Sequence, residues 1–331
     1  MKLLKIMAFV AMILALAVVI LGAYTRLTDA GLGCPDWPGC YGHMVLPAQP
    51  AALQAAQDHY PTLPIEARKA WTEMGHRYAA GTLAILIGLI AIVARRQRCR
   101  GALAVIPVVL IGLVIFQAAL GMWTVTLKLL PIVVMGHLLG GLLIFGHLVA
   151  FNLHLRHPGK AAITRWRCWT ILAVLIVFVQ IALGGWVSSN YAGLACIGFP
   201  QCNGQWIPVL DWQHSFQIWS GIGANHQGGL LDATSRATIQ MVHRLGAVVI
   251  ALYLLGLSVA LLHCIRHKVV RRAVIGVLGC VAIQFALGVA NVVYLLPLWA
   301  AVAHNGVAAL LLAAVLVLHH SVRRAFSGIA S

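Results

Sequence analysis

Apolar residues along the chain gather in eight long, nearly uncharged blocks, at roughly 5–25, 70–94, 101–126, 131–154, 166–188, 236–263, 271–294 and 298–320. Each is close to the ~20 residues that carry a helix across the apolar core of a bilayer. A helix is the form in which a segment in lipid satisfies its own backbone polar groups. The pattern therefore predicts an all-α integral membrane protein of eight transmembrane helices. Polar residues, Pro, Gly and Trp collect in two long connections, about 26–69 and 189–235, too long to be mere turns.

Composition strengthens this reading. Of the 331 residues 61% are hydrophobic and 9% charged, which excludes a soluble domain. The net charge of +16 raises nucleic acid as a partner, but its distribution removes it. With eight spans and the N-terminus inside, the inner segments, from Lys2 to Arg324, carry 16 basic residues and no acidic one. The other side carries the remaining 7 basic and all 7 acidic residues. That is the positive-inside pattern, with both termini cytoplasmic and basic loops that touch anionic lipid. Lys2, Lys5 and Ala15-Leu16-Ala17 also look like a cleaved signal peptide. Against that, Leu21-Gly22-Ala23-Tyr24 is matched by Leu183-Gly184-Gly185-Trp186, and a piece of a repeat belongs in the mature protein. No transit sequence precedes the first span, so a bacterial inner membrane is expected.

The blocks repeat as a set of four. Ala30-Gly31-Leu32-Gly33-Cys34 matches Ala192-Gly193-Leu194-Ala195-Cys196, and Pro38-Gly39-Cys40 matches Pro200-Gln201-Cys202, at an offset of 162. Further on the offset is 167, where Gln117-Ala-Ala-Leu-Gly121 matches Gln284-Phe-Ala-Leu-Gly288; Gln180-Ile-Ala-Leu-Gly184 is a relative of both. Four spans per half give both halves the same orientation. They are expected as two tandem four-helix bundles, 1–157 and 158–331, related by a pseudo-two-fold axis along the membrane normal and joined near His157–Arg165.

Histidine follows the same register. His76 and His137 are 61 residues apart, as are His243 and His304. Each pair begins two spans that enter from the outer face, so its imidazoles share a depth and suit axial ligation of a haem between helices. Gly75, Gly81, Gly136, Gly140, Gly141, Gly246 and Gly306 nearby give clearance for a flat macrocycle, or for plain helix packing. Zinc and copper fit less well, because no cysteine or third histidine recurs beside each pair. Ionisable residues inside a membrane are usually functional. Arg77 and Arg244 follow the first histidine of each pair and are placed either on haem propionates or on lipid phosphate. Glu73-x-x-His76 becomes Gln240-x-x-His243. Cys34 with Cys40, and Cys196 with Cys202, lie on the oxidising side and are expected as disulfides, with a structural or a redox role. Cys99, Cys168, Cys264 and Cys280 are expected as free thiols.

The stretch from Gly22-Ala-Tyr-Thr-Arg-Leu-Thr-Asp to Cys34-Pro-Asp-Trp-Pro-Gly-Cys40, with Glu73-Met-Gly-His76-Arg77, resembles the haem A synthase family over essentially the whole chain. The resemblance implies an oxidoreductase that converts haem O to haem A for terminal oxidases by turning a ring methyl into a formyl. It implies His76 and His137 at the substrate haem, and His243 and His304 on a haem b cofactor. It makes Glu73 the essential carboxylate. A haem O synthase is the implied donor, with an electron acceptor and a homo-oligomer left open. Glu73 lies one helical turn from His76 and on the same face, where a carboxylate can accept a proton or stabilise positive charge on carbon. The expected chemistry is two hydroxylations of the methyl and loss of water. The rival classes are a dihaem cytochrome b-type electron carrier, which leaves haem unmodified, and a transporter, which needs broken helices at the midplane.

Overall fold

The computed structural model describes residues 1–46, 49–61, 64–157, 164–219 and 221–325. Eight helices span the membrane: α1 (Lys2–Leu27), α3 (Ala67–Arg96), α4 (Ala102–Thr126), α5 (Pro131–Arg156), α6 (Arg167–Ser189), α8 (Ala233–Cys264), α9 (Lys268–Val293) and α10 (Leu298–Ala325). This is a multi-pass membrane protein. Two short helices in the long connections, α2 (Pro50–His59) and α7 (Trp212–Ser215), are additions that hydropathy does not reveal. Local capping chemistry makes them. Pro50 opens α2, where its missing N–H costs nothing. Asp211 caps α7 by accepting the Gln213 and His214 N–H groups. Helices α3 and α8 also start three residues ahead of their apolar blocks. The Asp232 carboxylate, which accepts the Ser235 N–H at 2.7 Å, supports that extra turn of α8.

Helices α1, α3, α4 and α5 close a ring by packing in that order, α5 returning to α1; α6, α8, α9 and α10 close a second ring in the same way. Between the rings α5 meets α10, α1 meets α10, and α5 meets α6. Helices α5 and α10 consequently contribute many of the buried side chains, among them Leu148, Phe151, Leu312 and Leu318. Near the basic ends of the helices the buried Asn152 amide donates to the Ala8 and Leu148 carbonyls at 2.9 Å. Burying an amide is tolerable only when it is bonded in this way. The counterpart positions in the other half are His319 and Thr170, which lie 2.8 Å apart from Nδ1 to Oγ1. His319 thus stands where Asn152 does. The joint between the halves, residues 158–163 with Lys160, lies outside the described residues.

The long connections repeat too. Disulfides Cys34–Cys40 and Cys196–Cys202 both form, with Cα atoms 4.8 and 4.6 Å apart. Positive φ recurs at Asp29 and Tyr191, at Tyr41 and Asn203, and at Lys128-Leu129 and Leu295-Leu296. Both loops close a small bridge after the second cysteine, Cys40 with His43 and Cys202 with Gln205. The four remaining cysteines of the expectation are free thiols.

Candidate functional site

His76 on α3 and His137 on α5 face each other across the first ring, with ring centroids 6.3 Å apart and planes at 72°. Each of the four histidines is seated against a glycine of the adjoining helix. A Cβ added at Gly22, Gly121, Gly184 or Gly288 would lie 3.0, 3.2, 3.1 or 3.3 Å from Cε1 of His76, His137, His243 or His304 respectively. These glycines end the Leu-Gly motifs of the repeat, so the motif has a physical reason: the backbone must come close to an imidazole.

Buried polar atoms are nearly always bonded, yet Nδ1 of His76, His137 and His304 is buried with no partner among the described residues. Among those residues no group of three or more His, Cys, Asp or Glu is placed to hold a metal ion. A bare zinc needs three or four protein ligands. Two imidazoles complete a metal that brings its own equatorial ligands, as haem iron does. Between His76 and His137 lies a cavity of about 430 Å³ that Glu73, Arg77, Gln117 and Trp37 also line. The cavity, orphaned nitrogens, glycine cradles and two-histidine donor set fit a haem in the first half; the second repeats the cradles and the histidine pair, with an orphaned nitrogen at His304.

Glu73 is buried, 5% exposed. Its Oε2 accepts the Cys34 N–H at 2.9 Å, and Oε1 pairs with Arg77 Nη2. The carboxylate thereby ties the first disulfide loop to α3, one turn before His76. Arg77 continues the tie: Nη1 donates to the carbonyls of Asp36, Pro38 and Gly39. Arg244 does the same for the second loop, donating to the carbonyls of Gly198, Gln201 and Cys196. The described hydrogen bonds of both guanidiniums therefore go to loop carbonyls and, for Arg77, to Glu73 and the Met74 sulfur as well. Gln240 is also buried, but its Oε1 has no partner among the described residues.

Sequence reasoning gave no role to Arg26. It lines the same cavity, donates from Nη2 to the Ser188 carbonyl at 2.7 Å, and lies 4.0 Å over the Tyr191 ring. Its Nε is buried and unpartnered among the described residues. The available signal was an arginine at the outer end of a span whose other charges, Lys2 and Lys5, lie at its inner end. His226, also left without a role, is buried in the second loop, where its N–H donates to the Lys128 carbonyl at 3.0 Å. That bond carries the second loop across to the outer end of the first ring.

Eight membrane helices that seat paired histidines beneath disulfide loops, twice over, define a polytopic membrane protein with a duplicated two-imidazole site. Residues 5–316 match the COX15-CtaA model, described as cytochrome oxidase assembly protein. The chain belongs to that family. It is 43% identical to a Heme A synthase of Shewanella oneidensis, over 94% of each chain. A Heme A synthase of Rhizorhabdus wittichii is 29% identical over 93% of this chain and 90% of its own. One from a Caulobacter species is 28% identical over 96% and 95%.

Proposed function

We propose that this protein is an oxidoreductase that converts haem O to haem A. The observation that carries the reading is the buried Glu73 carboxylate in the cavity between His76 and His137, where the repeat places Gln240 in the other half. The first bundle, 1–157, holds the substrate between His76 and His137; the second, 158–331, holds haem b between His243 and His304. The exchange of α1 for α6, and of α5 for α10, in the inter-ring contacts supports a pseudo-two-fold relation between the bundles. Haem b, when bound, supplies electron transfer.

As a balance, a methyl group and one water are equivalent to a formyl group, four protons and four electrons, and an electron acceptor takes up the electrons. Two hydroxylations and loss of water reach that product. The protein's part is to place the methyl and to manage charge. Glu73, held by the Cys34 N–H and Arg77, accepts a proton or stabilises positive character on the methyl carbon; Gln240 can do neither. Trp37 and Pro38 of the first disulfide loop line the cavity together with Glu73. Arg26, whose Nε has no partner among the described residues, and Arg77 are cations on the cavity wall that would meet propionates. Arg244 is proposed for the same contact in the second half.

Two disulfide loops opposite the arginine-rich helix ends support an inner membrane with cytoplasmic termini and haem sites toward the periplasm. A haem O synthase as donor, a membrane electron acceptor and a homo-oligomer complete the proposal. Pigments extracted from the purified Glu73→Gln variant test it. The expected result is haem O with haem b and no haem A; haem A at the normal level removes Glu73 from the chemistry. Wild-type protein that yields haem b alone would make the protein an electron carrier instead.

A further inference from the structure

Two hollows lie side by side along α1. The first is the cavity between His76 and His137, which Ala15, Val19 and Ala23 of α1 help to line. The second is an apolar groove of about 690 Å³ between α1 and α10, lined by Leu16, Ile20 and Tyr24 on one side and by Trp299, Gly306 and Leu310 on the other. Tyr24, Trp299 and Leu310 are exposed, so the groove opens to lipid. Each of its α1 residues follows one that lines the cavity, and on α10 Gly306 follows Asn305, which lines the cavity too. The α1–α10 contact therefore stands between the two hollows. At that contact a Cβ on Gly306 would lie 3.3 Å from Cγ1 of Ile20. One flexible side chain over a glycine makes a thin wall.

In the other half the same seam is α6 against α5, with Trp186 for Tyr24, Met135 for Val302 and Leu139 for Gly306. There the chain fills its own groove. Trp186 is buried with Ile132 and Met135, and with Phe216 and Leu231 of the second loop. Met135 also packs on Gly185, where a Cβ would lie 3.3 Å from its Cγ. No described residue of either long loop lines the α1–α10 groove. The two haems of the proposed reaction differ in a matching way. Haem O carries a hydroxyethylfarnesyl chain that haem b lacks. At about 430 Å³ the cavity falls in the lower half of the roughly 300–1,000 Å³ that drug-sized ligands fill. A tetrapyrrole with a farnesyl chain exceeds such a ligand, so the chain needs room outside the cavity.

We infer that the α1–α10 groove seats the farnesyl chain of the substrate, reached past Ile20 and Gly306, and that Trp186, Met135 and Leu139 withhold such a seat from the cofactor half. This rests on the haem O reading proposed above and deepens it. Lipid is as apolar as the groove, so the seat acts through close contact with the chain rather than by removing it from water. Its use is orientation. Two axial imidazoles leave a macrocycle free to turn in its own plane. A seated chain fixes that turn, and with it the methyl that meets Glu73. Leu16, Ile20 and Gly306 are in this sense specificity residues, which touch the chain and not the reacting carbon.

The test is titration of haem O and of haem b, followed by absorbance, into detergent-solubilised full-length His243→Ala/His304→Ala protein, in which the first histidine pair alone is intact. Gly306→Leu installs the side chain that the other half carries, and Leu16→Trp narrows the groove from its other wall. Each should weaken haem O by about 10-fold or more, the low end of what one misfit methylene costs in a pocket, and leave haem b binding as in the parent. Pigments extracted from the same two variants with all four histidines in place are the second readout: haem O and haem A should fall together while haem b stays. Equal losses of both haems, a parent that binds both alike, or a haem O preference unchanged in both variants overturns the inference. The last result is what a groove covered by lipid or by a second copy of the chain would give. Failure of the underlying reading is distinct, because wild-type protein would then form no haem A. Failure of the groove alone leaves haem A formation and the haem O preference intact in both variants.

Discussion

The two bundles share a frame and differ at the cavity. Both seat two imidazoles against glycines, and both clamp a six-residue-separated disulfide loop with the arginine after the first histidine. In the first bundle that clamp includes a carboxylate, Glu73, which holds the loop through Cys34 N–H. In the second the equivalent is a neutral Gln240. The loops themselves differ in reach. The second is latched to α6 by Trp186 Nε1, which donates to the Ser215 carbonyl at 2.8 Å, and to the first ring through His226 and Lys128. Duplication has thus kept what backbone geometry requires and let chemistry diverge where side chains meet the cavity.

The hardest test of that difference exchanges the two side chains. Glu73→Gln should lower haem A formation at least ~100-fold, the low end of what a positioned acid or base contributes, with haem content intact. Adding Gln240→Glu should not restore it. A carboxylate at 240 sits in the other bundle, away from the cavity between His76 and His137 that Glu73 lines. Recovery of haem A in the doubly exchanged protein would show that the two cavities are chemically interchangeable and would end the comparison.

A smaller contrast lies in the disulfides. Opening either loop, by Cys34→Ser/Cys40→Ser or by Cys196→Ser/Cys202→Ser, removes about 2.4 kcal/mol on the loop-entropy model, and thermal unfolding should register both alike. Turnover should not. Freeing Cys34 loosens a donor to Glu73, and misplacing a reacting group by 1 Å costs up to about 100-fold. The first pair should therefore lose more than tenfold in haem A formation, the second less than threefold. Equal losses would mean that the first loop does not position Glu73.

Most of this architecture was legible before any coordinates. Hydropathy located the eight spans because lipid imposes one solution on the backbone, and register paired the histidines because a duplicated site must repeat both ligands. Leu-Gly after Gln was visible as a motif but silent as to purpose, since only packing shows the glycine meeting an imidazole on another helix. Arginine roles were harder still. Arg77 and Arg244 read as anion binders from type and place, whereas their described partners are carbonyls of loops 38 to 48 residues away in sequence. Helices α2 and α7 escaped because short capped turns carry no periodic signal.

The mildest expected effect concerns the latch of the second loop. Trp186 and Tyr24 occupy matching positions at the outer ends of α6 and α1. Trp186 is 5% exposed and bonded to Ser215, while Tyr24 is 38% exposed. Trp186→Phe removes one hydrogen bond and some buried area, together about 1–2 kcal/mol. Local opening of α7 should then become about 5- to 30-fold more frequent. Hydrogen exchange at the Gln213 and His214 amides, both bonded to Asp211, reads this opening directly. Tyr24→Phe should leave those amides unchanged, because no described hydrogen bond latches the first loop to the Tyr24 side chain. If Trp186→Phe also leaves them unchanged, the second loop is held by Asp211, Ser235 and Thr238 alone, and its asymmetry belongs to α8 rather than to α6.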